Sequence, residues 1–284
     1  MRTRDELVLV GEGRTAEILA WDEGQVLRLF REGASRAYAL RELDISRTIS
    51  EAGFPSPAVY PAETEDGLIE VDDRIGFVMD RVDGPTMLRV LSAKPWKLFR
   101  FARVCARLHL MVHATSAIGL PSQRERLHRV IDCVAGDVGA ETAARIHTAV
   151  DALPDGNAVC HGDFHPDNII MSEQGPMIID WGPATSGNPA GDVAWTIRLF
   201  RHGGTPPGMS FFQRLVLNGF RRIFLFVYLR EYLKASTMSR DVIERWAPPI
   251  AALRLGDGIP EERNVLLEAI QSYFSSGAAS DPVD

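Results

Sequence analysis

The pattern of apolar and polar positions divides the chain into a strand-rich first part and a helical remainder. Leu7–Val10 is a short apolar run leading into Gly11-Glu12-Gly13. Ala16–Trp21 and Gln25–Phe30 flank an Asp22-Glu23-Gly24 turn, the pattern of a β-hairpin. From about Ser35 to Ala52 the apolar period is helical. It stops at Gly53, after which Pro55 and Pro57 impose extended chain. Leu68–Val71 and Ile75–Met79 straddle Asp72-Asp73 as a second hairpin, and Asp83-Gly84-Pro85 then breaks the chain. Beyond it, Leu98, Phe101, Cys105, Leu108 and Val112 form one stripe on a helix from Pro95 to about Ala114. A further helix is expected over Glu141–Leu153. Two short strands, Ile169–Met171 and Met177–Ile179, enclose a Ser172-Glu173-Gln174-Gly175 turn. The rest reads as helix, including an aromatic stretch in which Phe211, Phe212, Phe220, Phe224, Phe226 and Tyr228 are expected to face a core. The expected organisation is α+β in two lobes. Residues 1–84 form a small strand-rich lobe that includes a hinge near Met79–Gly84, and residues 85–284 form a larger helical lobe. A ligand cleft is expected between them.

Composition narrows the class. With 284 residues, 45% hydrophobic and 24% charged, the chain has ample material for a core and is not a disordered or low-complexity polypeptide. Its net charge of −7 argues against a nucleic-acid-binding surface. The three cysteines, Cys105, Cys133 and Cys160, form no C-x-x-C pair, so neither a disulfide framework nor a cysteine zinc site is expected. The longest apolar run, Ile223–Leu229, lies between Arg222 and Arg230 and is too short to span a bilayer. A cytosolic location is the expectation, with neither nucleic acid nor membrane as a partner. One oddity bears on the chemistry: the only lysines are Lys94, Lys97 and Lys234.

The candidate chemistry is concentrated in His161-Gly162-Asp163-Phe164-His165-Pro166-Asp167-Asn168, followed by Ile178-Ile179-Asp180-Trp181-Gly182. Asp163 is suited to accept a proton from a substrate hydroxyl. Asn168 and Asp180 offer the hard oxygen ligands that Mg²⁺ prefers. The spacing Asp163-x-x-x-x-Asn168, with His161 two residues earlier, follows the catalytic loop of protein kinases, and Asp180-Trp181-Gly182 stands in the place of their D-F-G. A zinc cluster of His161, Asp163 and His165 is the competing reading, and it leaves Asn168 and Asp180 unexplained. His109 and His113 lie four apart on one helix, with Leu110 where a zincin has Glu, so they read as core or surface histidines.

On these two motifs the chain resembles the aminoglycoside phosphotransferase and choline kinase-like family, relatives of the protein kinases. The resemblance extends from the Gly11 loop to the C-terminal helices. It implies a two-lobed protein-kinase-like fold and transfer of phosphate from a nucleoside triphosphate, ATP or GTP, with Mg²⁺. The acceptor implied is a hydroxyl of a small molecule, with an aminoglycoside or other antibiotic as first choice. A neutral metabolite or nucleoside antibiotic is the alternative, and a non-catalytic nucleotide-binding protein the other. Asp163 becomes the catalytic residue, and Asn168 and Asp180 the metal ligands. Gly11 and Gly13 would cover the phosphates, although Ala16 replaces the third glycine of the kinase pattern. The hinge residues Met79, Asp80, Arg81 and Val82 would hold the base through backbone groups. Arg28 stands where the family has a lysine, and with no lysine before Lys94 it is the expected phosphate cation, paired with Glu42. Asp192 is expected to brace the catalytic loop. No peptide-docking segment with an A-P-E anchor follows Asp180, which favours a small acceptor. From Ser239 onward, Asp241, Glu244, Asp257, Glu261, Glu262, Glu268, Asp281 and Asp284 face Arg240, Arg245, Arg254 and Arg263. After helix-end and tail acids are discounted no excess remains, so only a weak preference for cationic acceptors is expected.

Overall fold

The computed structural model describes residues 2–204 and 208–275. Asp281 and Asp284, counted above, lie outside them. The chain forms two compact units. The first is the chain up to Pro95 together with Pro166–Ala184, and the second is Trp96–His165 together with the chain from Thr185 onward. The boundary expected after Gly84 falls inside the first unit. There the Met171 amide donates to the Pro85 carbonyl at 2.9 Å, and a Cβ on Gly84 would lie 2.5 Å from the Met171 oxygen.

In the first unit an antiparallel sheet runs β1 (Leu9–Glu12), β2 (Ala16–Ala20), β3 (Gln25–Phe30), β6 (Arg74–Asp80) and β4 (Val59–Tyr60), with β5 (Ile69–Val71) also on β6. The two faces of β3 bury different cores. Leu27 and Leu29 join Leu7, Leu19, Val71 and Val78, while Phe30 joins Ala16, Ala39, Leu43 and Phe77. By strand alternation Arg28 shares the face of Phe30, which is the face covered by α1 (Arg36–Glu51). Gly76 sits beside this point because a Cβ there would meet the Arg28 carbonyl at 2.3 Å. After α2 (Met87–Ala93), the later segment of this unit is a two-stranded hairpin, β8 (Ile169–Ser172) with β9 (Gly175–Ile178), paired Ile169 to Ile178.

The second unit is helical: α3 (Leu98–His113), α4 (Gln123–Val138), α5 (Ala140–Ala152), α6 (Pro189–His202), α7 (Phe211–Ala235), α8 (Arg240–Glu244), α9 (Ala247–Leu255) and α10 (Pro260–Ser275). Its only pairing of named strands among the described residues is β7 (Ala158–Cys160) with β10 (Thr185–Gly187). The aromatic expectation for α7 holds in part. Phe224 and Tyr228 are buried, but Phe211, Phe212 and Phe226 are 84, 70 and 58% exposed. The buried positions of α7 all lie from Phe224 onward, on the part that packs against α3, so the first half carries apolar residues without a core to bury them.

A buried polar cluster ties three helices to the segment His161–His165. The Asp192 carboxylate accepts from the amides of His161 at 2.6 Å and Gly162 at 2.8 Å. Its Oδ2 also accepts from Nε2–H of His109 and His113 at 3.0 and 3.1 Å. Their Nδ1 atoms accept from the Tyr228 and Tyr232 hydroxyls, both at 2.6 Å. The i, i+4 spacing that suggested packing histidines thus aims both rings at one carboxylate from α6. His109, His113 and Asp192 lie close enough to hold a metal, but the hydrogen bonds already account for each of these ring nitrogens and for the carboxylate. Burial works to raise the Asp192 carboxyl, and the two histidines outweigh it and hold it well below the usual range. For His109, burial and then His113 push the imidazole down to about 3, so it stays neutral where an unfolded histidine takes a proton.

The sign of the resulting pH dependence is set by His109. Between its folded value of about 3 and its unfolded value near 6.5, the unfolded chain binds more protons. Stability from this group is therefore complete above pH 6.5 and falls on acidification, by up to about 1.4 kcal/mol per pH unit. Urea unfolding at pH 7.5 and pH 5 is expected to show that loss, and His109→Gln to flatten it while lowering stability at both pH values. An unchanged slope in the variant would remove His109 as its source.

Candidate active site

Arg28 gathers the candidate groups of the first unit. Its Nε–H donates to Glu42 Oε2 at 3.0 Å, and Nη2 donates to Asp180 Oδ1 at 3.2 Å and to Thr15 Oγ1 at 3.4 Å. One guanidinium therefore joins the glycine loop, α1 and the end of the β8–β9 hairpin. Glu42 occupies a position on the apolar stripe of α1, beside Ala39, Leu43 and Ile49, and is 4% exposed. A carboxylate at that depth needs a partner, and Arg28 and the Tyr38 hydroxyl supply it. Burial lowers the Arg28 guanidinium, but Glu42 and Asp180 overcome this and raise it above its ordinary value, so it is always charged. The pairing expected from the sequence is the observed one. The link to Asp180 could not be read from sequence.

Asp180 has a positive φ of 62°, a conformation uncommon outside glycine but one that Asp tolerates better than most residues. It follows Ile179, whose amide donates to the Asn168 carbonyl at 3.0 Å, so the hairpin register brings positions 168 and 180 to one end. Trp181, in the place of the kinase Phe, is buried. Its Nε1–H donates to the Ile178 carbonyl and its ring lies 5.1 Å from that of Phe54. Gly182 is demanded by Glu42, since a Cβ there would meet Glu42 Oε1 at 2.5 Å. The Arg28–Glu42 pair and the D-W-G motif are thus one packed arrangement. Asn168 is buried on a short 3-10 turn, Pro166–Asn168, whose Asp167 accepts from Thr86 at 2.7 Å. Two hard oxygen donors, one carboxylate and one amide, at the open end of a hairpin fit the preference of Mg²⁺.

The glycine loop is the β1–β2 turn. Gly13 N–H donates to the Ala16 carbonyl at 2.9 Å, and Gly11 lies opposite Ile18 next to an irregularity in the ladder. Neither glycine has a positive φ, and a Cβ on either would make only ordinary contacts of 3.5 Å or more. The protein's own packing does not require glycine at these positions. Met79 lies inside β6, opposite Val26 and Val59. The amides of Asp80 and Arg81 are already donated to the carbonyls of Ala58 and Gly24. Asp80, Arg81 and Val82 line a depression of about 620 Å³ with Gly84, Pro85 and Met177, and Met79 does not.

Asp163 belongs to the second unit, five residues before Asn168 in the chain. Trp195 Nε1–H donates to its Oδ1 at 3.0 Å, His165 Nε2 lies 3.5 Å from its Oδ2, and its own amide donates to His161 Nδ1 at 3.2 Å. Burial pushes the Asp163 carboxyl up, but the hydrogen bonds of His165 and Trp195 and the nearby positive charge bring it down to about 2. It is an ionised hydrogen-bond acceptor at any physiological pH. His161 is wholly buried and Phe164 stacks on His109 at 4.0 Å, so the alternating histidines shape this segment. Trp195 and the His109–His113 pair are the participants that sequence reading missed as partners of Asp163 and Asp192. Their signal was the helical period of α6 and α3, which sets 192 with 195 and 109 with 113.

Comparison with solved structures places this architecture. Over 96% of this chain and 94% of the other, it superposes on a thermostable mutant of aminoglycoside phosphotransferase APH(4)-Ia, solved with AMP-PNP and hygromycin B, with TM-score 0.61 and 17% identity. The amicoumacin kinase hAmiN, solved with AMP-PNP, Ca²⁺ and Ami, matches with TM-score 0.58 and 13% identity over 99% and 91% of the two chains. A choline/ethanolamine kinase family protein from Mesorhizobium loti gives 0.55 and 17% over 97% and 88%. At these identities the likeness is one of fold, a protein-kinase-like α+β architecture. No curated protein matches the chain. No helix among the described residues is long and apolar enough to cross a membrane. The sequence itself matches the phosphotransferase enzyme family over residues 8–230, so the chain belongs to that family and is a phosphotransferase.

Proposed function

We propose that the protein transfers the terminal phosphate of a nucleoside triphosphate, ATP or GTP, to a hydroxyl of a small molecule, with Mg²⁺. The observation that carries this reading is the three-way contact of Arg28 with Thr15, Glu42 and Asp180, which assembles a cation, its anchor and a metal-type carboxylate beside the glycine loop. Arg28 orients the phosphates, held at the required angle by Glu42. Asn168 and Asp180 are the residues that would hold Mg²⁺, which when bound neutralises charge on the phosphate oxygens. The glycine loop covers the phosphates, and the segment from Asp80 to Val82 receives the base, chiefly through carbonyls and Val82, since two of its amides are committed. The solved relatives bind AMP-PNP, which supports a nucleotide donor.

Asp163 orients the acceptor hydroxyl. A carboxylate of pKa about 2 is a poor resting base, so its role is to accept the hydroxyl hydrogen bond and to take the proton only as the O–P bond forms. The acceptors to test first are aminoglycosides and other antibiotics, as the relatives with hygromycin B and Ami suggest. Charge does not narrow the choice. Of the C-terminal acids, Asp257 and Glu262 are both bound by Arg254, at 3.0 and 2.7 Å, and neutral hydroxylated metabolites and nucleoside antibiotics remain on the panel.

A panel of hydroxylated antibiotics and metabolites, assayed for phosphate transfer, tests the reading. Asp163→Asn is expected to lower the rate by about 10²–10⁴-fold while nucleotide affinity stays near wild type. The rate should show no acid limb from Asp163 above about pH 4, because its carboxyl ionises near 2 and is fully charged above that. Near-wild-type transfer by the variant would end the assignment of Asp163. Asp180→Ala is expected to weaken Mg²⁺-nucleotide binding itself, by about tenfold or more in calorimetry. Equal affinity would remove Asp180 from the metal site.

A further inference from the structure

The cations of this acidic chain are not spread evenly. Residues 84–124 carry seven arginines and lysines and residues 193–230 carry six, and neither stretch contains an aspartate or a glutamate. The first stretch supplies α3 and the second the greater part of α7, and these two helices pack against each other in the second unit. Large apolar side chains left at the surface gather in the same stretches. Six of them stand on α7, and Trp96 and Phe99 are exposed around the start of α3.

The exposed residues of α7 form a stripe. Phe212, Val216, Gly219, Ile223, Phe226 and Arg230 recur at intervals of four and three, which keeps them on one side of a helix. That side is turned away from the buried Phe224, Leu225, Tyr228 and Tyr232. Leu215 and Arg222 border it, and its least exposed large apolar member, Ile223, is 47% exposed. The apolar part extends over about four turns, or about 20 Å of helix. A continuous apolar band of this extent on a surface marks an interaction site. Among the described residues neither Arg222 nor Arg230 pairs with a carboxylate, and both are exposed. Glu231, the single acid of α7, lies 3.9 Å from Arg103 of α3.

The chemistry of the stripe selects its occupant. Between Phe211 and Arg230 it offers apolar surface and guanidinium groups and no carboxylate. A second copy in two-fold pairing would set these cations against their own kind, which disfavours that contact. A structured protein partner is recognised through matched polar contacts, and this face has few polar groups besides the cations. An anionic bilayer accepts both parts without matched geometry. Phenyl and aliphatic groups enter the boundary between headgroups and acyl chains, while arginines meet the lipid anions. The net charge of −7 does not prevent this, because at physiological salt only charges within about 8 Å of the surface are felt. Lying on a bilayer also needs no spanning helix, and none is present among the described residues. None of Arg28, Asp163, Asn168 or Asp180 lies on α3 or α7, so the surface goes beyond the phosphotransferase reading.

We propose that the solvent-facing stripe of α7 docks the protein on an anionic lipid surface, with Phe212, Ile223 and Phe226 in the bilayer interface and Arg222 and Arg230 on the headgroups. The full-length protein is sedimented with vesicles of phosphatidylcholine alone, and of phosphatidylcholine with about a third phosphatidylserine, at about 0.1 M and about 0.5 M salt. Binding to the phosphatidylserine vesicles is expected at the lower salt, with a loss of about tenfold or more at the higher. Two double variants, Phe212→Ser with Phe226→Ser and Arg222→Gln with Arg230→Gln, change exposed side chains only. Their circular dichroism and thermal midpoint are expected to match wild type, and each is expected to bind these vesicles about tenfold more weakly or worse. No binding to phosphatidylserine vesicles, equal binding to phosphatidylcholine alone, or wild-type binding by either double variant overturns the proposal. A dimer that the phenylalanine variant dissociates, in a protein that leaves vesicles unbound, assigns the face to a second copy instead.

Discussion

The candidate phosphate site rests on one guanidinium held between two carboxylates. Arg28 can occupy the buried face of β3 only because Glu42 rises from α1 to meet it, and Glu42 can occupy the apolar stripe of α1 only because Arg28 is there. Breaking such a pair leaves a buried charge uncompensated, at a cost of about 3–5 kcal/mol. The second carboxylate, Asp180, is 41% exposed and takes the outer nitrogen of the fork. Neighbouring choices follow from this geometry. Gly76 leaves room for the Arg28 backbone, and Gly182 leaves room for the Glu42 side chain. A lysine offers one point charge on a flexible stem, whereas arginine spans two acids and a threonine at once. The substitution at this position therefore alters the wiring of the site without removing its charge.

A second constraint operates in the helical unit. Asp192 carries a buried negative charge whose four acceptor contacts are split between backbone amides of the His161–Gly162 segment and two imidazole N–H donors of α3. Tyrosines from α7 close the far side of both rings. The loop that carries Asp163 is thus fixed by α6 from two directions, through Asp192 to its backbone and through Trp195 to the carboxylate itself. Preorganisation of this kind is what a transfer reaction dominated by positioning requires.

Much of this was legible in the sequence, for physical reasons that differ by element. The β2–β3 hairpin, α1 and the β8–β9 hairpin carry strong local signals, an Asp-Glu-Gly turn, a capped apolar period and a four-residue turn, and they appear where expected. The first strand begins at Leu9, after a 3-10 turn over Arg4–Glu6 that the Leu7 amide closes by donating to the Arg4 carbonyl. The α4 helix went unread although Leu127, Ile131 and Val134 mark its buried face, since its polar stretch resembles a linker. Periodicity alone also misled in α7, where burial depends on whether α3 runs alongside. The Arg28–Glu42 pair followed from spacing on a strand and the next helix. The contacts Arg28–Asp180 and Asp163–Trp195 join residues 152 and 32 positions apart, and only the folded chain brings them together.

The claim that Arg28 is the phosphate cation, positioned by Glu42, is tested most directly by a double-mutant cycle on Mg²⁺-ATP affinity. The proteins are wild type, Arg28→Met, Glu42→Gln and the double variant, each checked for folding by circular dichroism. The account predicts that Arg28→Met weakens binding by about tenfold or more, and that Glu42→Gln weakens it in wild type but adds little once Arg28 is gone, a coupling of about 1 kcal/mol or more. Binding at wild-type strength by Arg28→Met, or two losses that simply add, would contradict it.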